Sequence, residues 1–202
     1  MTLEQVLERI PPLDAEAMAL AKQHWDALAK PLHGLGDLED VLIRIAGICR
    51  TPHIDLRNKA VVVMCADNGV VAEGISQSGQ DVTQIITENL GKGTSTVCHM
   101  ARAADADVIP VDIGVASDIH GSGVVPRKIA YGTHNFAKQP AMSRDQAVQA
   151  IGVGIETALL CKQHGYDVVA TGEMGIGNTT STAAVTAALL HAPVELVTGR
   201  GS

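Results

Sequence analysis

Three glycines and one carboxylate fall within the six residues Gly172-Glu173-Met174-Gly175-Ile176-Gly177, and Asn178-Thr179-Thr180 follows directly. Glycines at 172, 175 and 177 let backbone N–H groups come close to a ligand. An Asn-Thr-Thr sequence that opens a helix adds unpaired N–H groups and the positive end of the helix dipole, a combination that favours phosphate. Glu173 places a carboxylate beside that cradle, where it can accept a proton or hold a ring nitrogen. The competing account of these residues is a plain strand-to-helix turn with a helix cap, because Gly-rich turns are common in α/β proteins. Neither the Gly-x-Gly-x-x-Gly of a dinucleotide fold nor the Gly-Lys-Ser/Thr of a P-loop occurs here.

Asp67 is a second candidate, a carboxylate that follows the apolar run AVVVMC (60–65) in the sequence Ala66-Asp67-Asn68-Gly69. Substrate contact and a cap for the next loop are equally good readings of it. Lys92, in Gly91-Lys92-Gly93-Thr94-Ser95, has the chemistry of a phosphate ligand but reads better as a joint between helices carrying a solvated lysine. The four cysteines and eight histidines are dispersed, with no Cys-x-x-Cys and no His-x-x-x-His, so the cysteines are expected as core thiols and no protein-held metal is expected. A formal charge of −7 gives no electrostatic footprint for nucleic acid or an anionic membrane, and 2% aromatic residues leave little to stack on bases. No apolar run approaches the roughly 20 residues of a membrane span, and MTLEQVLERIPPLD is acidic and amphipathic where a signal peptide would be basic and then apolar. The expected location is the cytoplasm.

These side chains need a scaffold, and the hydropathy pattern supplies one. Residues 1–50 read as helices. Thr2 and Gln5 fit a capping box, Asp14 can cap a helix ending before Pro31, and Leu38, Val41, Leu42, Ile45 and Ile48 make one face of a third helix. From residue 59 short runs rich in β-branched residues (60–65, 108–113, 167–170 and 194–197) alternate with helical stretches near 80–104, 144–164 and 179–191. Runs apolar on both faces suit a parallel sheet covered on both sides, which makes the expected fold an α/β, Rossmann-like sheet with a small N-terminal helical subdomain. Ser143 and Gln146 form a capping box for the 144–164 helix and Gly165 stops it, whereas Pro110 places the second run at an edge or weakens it. A long irregular stretch runs over 116–140. In such sheets ligands bind outside the carboxyl ends of the strands, so the exits at 66–69, 114–115, 171–180 and 198–201 belong together.

Four motifs then carry a family resemblance: Lys30-Pro31 with Gly34-Leu35-Gly36-Asp37-Leu38-Glu39, VVVMCADNGVVAEG (61–74), PAMSRDQA (140–147) and TGEMGIGNTT (171–180). In this order they closely resemble the nicotinate-nucleotide:dimethylbenzimidazole phosphoribosyltransferase family, and they span nearly the whole chain. The resemblance implies transfer of the 5-phosphoribosyl group of nicotinate mononucleotide to a ring nitrogen of 5,6-dimethylbenzimidazole, with inversion at the anomeric carbon. The products are nicotinate and α-ribazole 5′-phosphate, the lower-ligand nucleoside phosphate of a cobamide (vitamin B12-type) cofactor. It also implies a homodimer and a reaction without cofactor or metal.

Residue by residue, Glu173 matches a family position near the aromatic base, Gly175 one near the nucleotide, and Ser78 a base-pocket position. Gly177, Asn178 and Thr179 complete the substrate-binding set with Asp67. Ile86 stands where the best-known members have a glutamine that holds the benzimidazole, so a purine or a phenolic ring stays open as the acceptor. The family's proposed general base, a glutamate in a C-terminal Gly-Glu-Gly motif, has no counterpart in the sequence, which leaves Glu173 a supporting role and implies weak turnover by this chain alone. The resulting domain reading is 1–50 as the start of a small helical domain and 51–202 as an incomplete large domain that binds nucleotide and base. The alternatives to an enzyme are a noncatalytic nucleotide-binding module and one piece of a split enzyme.

Overall fold

A computed structural model describes residues 3–201, so Thr2 of the expected first capping box lies outside the described residues. Two compact units divide the chain between Arg57 and Asn58.

The first unit holds helices α1 (Leu3–Leu7), α2 (Ala15–Ala27) and α3 (Asp37–Cys49). Asp14 caps α2 as its sequence position suggests, its carboxylate accepting the Ala17 N–H at 2.9 Å. The α2–α3 contact is close because Gly47 has no side chain; a Cβ there would stand 2.7 Å from Met18 Cγ. The third helix expected from the Leu38–Ile48 periodicity is α3, and its apolar face is only partly covered within the described chain. Leu38, Val41 and Ile48 are all more than half exposed, and the buried residues of α3 are Glu39, Ala46 and Gly47. Glu39 is buried because it is paired: Lys30 Nζ lies 2.8 Å from it, and its Oε1 accepts the Leu35 N–H at 2.9 Å. Those two bonds hold the Glu39 carboxyl below its ordinary range and fix the 30–36 loop.

The second unit is a parallel sheet with helices on both faces. Its strands are β1 (Lys59–Ala66), β2 (Ala106–Gly114), β3 (Val125–Pro126) and β4 (Val168–Met174), in the order β3-β2-β1-β4. All three pairings are parallel. Side chains alternate across the sheet. Val63 and Cys65 pack with Leu90 of α4 (Asp81–Gly91) and Cys98 of α5 (Thr96–Ala103), while Val62 and Val111 pack with Cys161 of α6 (Arg144–Gln163). The Ser143–Gln146 capping box is formed in both directions, at 2.8 and 3.1 Å, and Gly165 takes the left-handed conformation (φ 81°) just past the helix end. Cys65, Cys98 and Cys161 are the expected core thiols; Cys49, the last residue of α3, is exposed.

The 80–104 stretch is two helices that meet at 92–95, and Lys92 closes α4 with its exposed ammonium facing Glu88 at 3.7 Å, the solvated joint expected there. Two expectations are corrected. Pro110 lies within β2, an interior strand, but beside a part of it that the two-residue β3 does not reach; β3 pairs with Val111 and Asp112 only. The run 194–197 is no strand. It forms α8 (Val194–Val197), packed on α7 (Asn178–Leu190), with Pro193 as its N-cap.

Candidate functional site

The chain steps outward from β1 to β2 to β3, then returns through α6 to place β4 on the other side of β1. That reversal puts a topological switch point at the carboxyl ends of β1 and β4, where open α/β sheets bind ligands. Asn68, just past β1, ties the two exits together. Its Nδ2 donates to Ile176 O at 3.2 Å, and its Oδ1 accepts from Ser181 Oγ at 2.7 Å. Thr83 of α4, fully buried, adds a third link by accepting the Ile176 N–H at 3.1 Å. The 171–180 loop is therefore held from two other elements.

Gly175 is needed by the protein itself. A Cβ there would fall 1.9 Å from the Ala66 carbonyl oxygen and 2.9 Å from Asn68 Nδ2. The sequence reading assigned the bare backbone to ligand approach; β4's own pairing with β1 already demands it. Gly177 is required differently, as the residue before α7 in a left-handed conformation (φ 85°).

Beyond these glycines the first turn of α7 opens on a small polar hollow of about 100 Å³. Its lining includes Ser76, Gly177, Asn178, Thr179, Thr198 and Gly199. Gly177 supplies no side-chain cap to the helix. The Asn178 side chain serves both neighbours: its Nδ2 donates to Glu173 Oε1, and its Oδ1 accepts the Thr179 N–H at 2.8 Å. The carboxylate of Glu173 thus stands one amide away from a helix N-terminus, an arrangement able to hold a phosphate and present a proton acceptor nearby. The hollow suits a phosphate better than a ring.

The remaining predicted residues sit apart from this hollow. Asp67 is 1% exposed; its Oδ2 accepts the Ala116 N–H at 2.8 Å, and its N–H and carbonyl bond to Gly114 O and from Thr133 N. Its Oδ1 is buried with no hydrogen-bond partner among the described residues. Ser78 lies in the segment leading to α4, its N–H bonded to Ser76 Oγ at 3.1 Å. No hydrogen bond links Asp67 or Ser78 to Glu173 among the described residues. Met174 and Ile86 both pack on the Val63–Cys65 cluster, so the neighbouring Glu173 projects from the opposite face of the sheet. Asn68, Thr83 and Ser181 were not singled out from sequence; the signal for Asn68 was its place after an apolar strand.

Among the described residues no group of three or more His, Cys, Asp or Glu could hold a metal ion, and no helix is long and apolar enough to cross a membrane.

Residues 10–202 match a family model described as phosphoribosyltransferase (DBI_PRT). The chain is 44% identical over 201 residues to the nicotinate-nucleotide--dimethylbenzimidazole phosphoribosyltransferase of Alkaliphilus metalliredigens, covering 99% of this chain and 58% of that protein. Against the protein of the same name from Chloroflexus aggregans the identity is 47% over 201 residues, with 99% and 57% covered. Among solved structures, CobT from Thermus thermophilus superposes with a TM-score of 0.87 at 42% identity, over 92% of this chain and 56% of that one. The chain spans little more than half the length of these relatives.

Proposed function

The chain belongs to the DBI_PRT phosphoribosyltransferase family, and from that premise we propose that the protein moves the 5-phosphoribosyl group of nicotinate mononucleotide to a ring nitrogen of 5,6-dimethylbenzimidazole or a related base. The bond from the anomeric carbon to the pyridinium nitrogen breaks, and its electron pair stays on that nitrogen, so nicotinate leaves with an uncharged ring. The acceptor's ring nitrogen attacks the opposite face, so the carbon inverts and α-ribazole 5′-phosphate forms for a cobamide lower ligand. The acceptor N–H proton passes to a carboxylate. The transition state carries positive charge on the ribose, which a nearby anion stabilises.

One observation supports this reading above others: the switch point places a polar helix N-terminus directly beside Glu173, through Asn178. In the proposed complex the backbone around Gly177, Asn178 and Thr179 holds the 5′-phosphate. Gly175 keeps the loop against β1, and Glu173 supports the base edge of the site. Ser78 contributes from the segment before α4. Asp67 acts from beneath, by fixing the exits of β1 and β2. Glu173 shares the carboxylate chemistry with a proton acceptor in the part of the relatives that this chain does not span. We further assign residues 1–50 to a small helical domain and 51–202 to the nucleotide- and base-binding domain, a homodimer as the assembly and the cytoplasm as the location; an acidic composition fits the last.

The test is mass spectrometry of reaction products. Nicotinate mononucleotide and 5,6-dimethylbenzimidazole are incubated with this chain, and with the chain extended through a relative's Gly-Glu-Gly segment. Nicotinate and α-ribazole 5′-phosphate in equal amounts from the extended protein support the reading. Nucleotide binding without product from either would mark a binding module instead, and ribose 5-phosphate in place of the nucleoside would mark a hydrolase.

A further inference from the structure

Asn68 is the N-cap of a short 3₁₀ helix, Gly69–Glu73. An asparagine at such a position ordinarily turns its side chain back to accept one of the next N–H groups. Asn68 makes no such bond, and the Gly69 N–H is taken by Thr133 Oγ1 at 3.1 Å. The Asn68 amide is left to reach across the switch point to the segment that follows β4.

Its two bonds bracket the opening of α7. Nδ2 donates to Ile176 O at 3.2 Å, one residue before Gly177, and Oδ1 accepts from Ser181 Oγ at 2.7 Å, one residue after Thr180. Ser181 N–H returns to Gly177 O at 3.2 Å, so one side chain holds both ends of the 177–180 segment. That side chain lies directly against it, since a Cβ on Gly177 would stand 3.3 Å from Asn68 Cβ. Asn68 is itself anchored through its carbonyl, which accepts from Val71 N–H at 3.1 Å and Gln80 Nε2 at 3.4 Å. The two contacts call for an amide: Ile176 O can only accept, so a nitrogen must face it, and an oxygen is left for the Ser181 hydroxyl. An aspartate would set a carboxylate against a carbonyl and add negative charge beside the helix N-terminus.

We propose that Asn68 is a positioning residue for nucleotide binding: it fixes Ile176 and Ser181 at one separation and so spaces the backbone N–H groups of Gly177–Thr180 to receive a phosphoryl group. It acts through those groups and not by contact with the substrate. Thr83 holds the Ile176 N–H independently at 3.1 Å, so the loop stays docked when the Asn68 amide is removed and the loss falls on the cradle. The proposal rests on the phosphate reading of the α7 hollow for its ligand, but the brace can be measured without one.

The test combines calorimetry, with nicotinate mononucleotide and nicotinate riboside, and amide hydrogen exchange of the ligand-free chain. In Asn68→Ala the nucleotide should bind at least tenfold more weakly and the riboside within twofold of the parent, because only the phosphate meets the spaced amides. Exchange at Gly177–Thr180 should quicken at least tenfold while the Val62 and Val111 amides keep their protection. Asn68→Asp should weaken the nucleotide further than Asn68→Ala. Ser181→Ala, which leaves β1 untouched, should weaken it about threefold, and the double variant should match Asn68→Ala within twofold, since Ser181 acts through Asn68. Equal losses for nucleotide and riboside, additive losses in the double variant, or nucleotide affinity unchanged in Asn68→Ala would each overturn the assignment. A parent that binds nucleotide no better than riboside counts against the phosphate reading alone; faster exchange in Asn68→Ala then still upholds the brace, and unchanged exchange overturns it.

Discussion

Replacing Gly175 by alanine probes the closest backbone contact at the switch point. The added Cβ would stand 1.9 Å from the Ala66 carbonyl oxygen, whereas close C···O contacts in proteins lie at about 3.3 Å. The exits of β1 and β4 must therefore part by roughly 1.4 Å. Such a shift strains the bonds from Ile176 N–H to Thr83 Oγ1 and from Asn68 Nδ2 to Ile176 O. Overpacking of a close-packed site costs about 1–3 kcal/mol, and each weakened hydrogen bond adds up to about 1 kcal/mol. A loss of about 3 kcal/mol is the expected result, which for a chain of this size lowers Tm by roughly 6–12 °C. Gly199→Ala is the control, since its Cβ meets nothing within 4 Å, and it should change stability by less than about 0.5 kcal/mol. Both variants are to be melted by circular dichroism and titrated with nicotinate mononucleotide by calorimetry. A Gly175→Ala protein that melts with the parent would refute the close approach and return that glycine to a role in ligand contact alone.

Burial pushes the Cys65 thiol up to about 11, with the charges of Asp112 and Glu173 adding to it. The unfolded chain releases that proton first, so the contribution is complete below about pH 9 and is lost as pH rises through about 11; urea midpoints at pH 8 and pH 10.5 should fall less in Cys65→Ala than in the parent. Ser143→Ala removes the acceptor for the Gln146 N–H at the start of α6 and should cost about 1 kcal/mol by the same urea measurement. Asp67→Ala strands the half-buried Ala116 N–H and should cost about 1–3 kcal/mol, whereas Asp67→Asn keeps an acceptor for it and should cost less; equal losses would show that the charge, not the hydrogen bond, is what the site needs.

What could be read in advance was whatever a short stretch of sequence encodes by itself. Runs apolar on both faces located β1, β2 and β4, and the Ser143 box and Gly165 bracketed α6, because burial and capping are local properties. The two-residue β3 has no pattern long enough to see, and the 194–197 run has the composition of a strand but folds as a single helical turn against α7. The α3 stripe located its helix but could not show what covers it: periodicity reveals an amphipathic face, and the residues buried in this helix are Glu39, Ala46 and Gly47. At the candidate site, the Gly-Glu-Met-Gly loop was legible as a strand exit, yet the need for Gly175 depends on Ala66, more than a hundred positions away, which only the β1–β4 pairing brings close. Asn68 and Ser181, whose side chains meet at 2.7 Å, were unreadable on the same ground.

In the proposed function the first turn of α7 beside Glu173 receives the phosphate of nicotinate mononucleotide. Its most direct measurement is a titration of the ¹⁵N-labelled chain with that nucleotide, alongside the Asn178→Ala variant, with nicotinate riboside as the phosphate-free control. Saturable amide shifts centred on Gly177, Asn178 and Thr179 are expected, with at least tenfold weaker binding in the variant and little response to the riboside. Equal shifts from nucleotide and riboside, or shifts that leave these three amides unmoved, would contradict it.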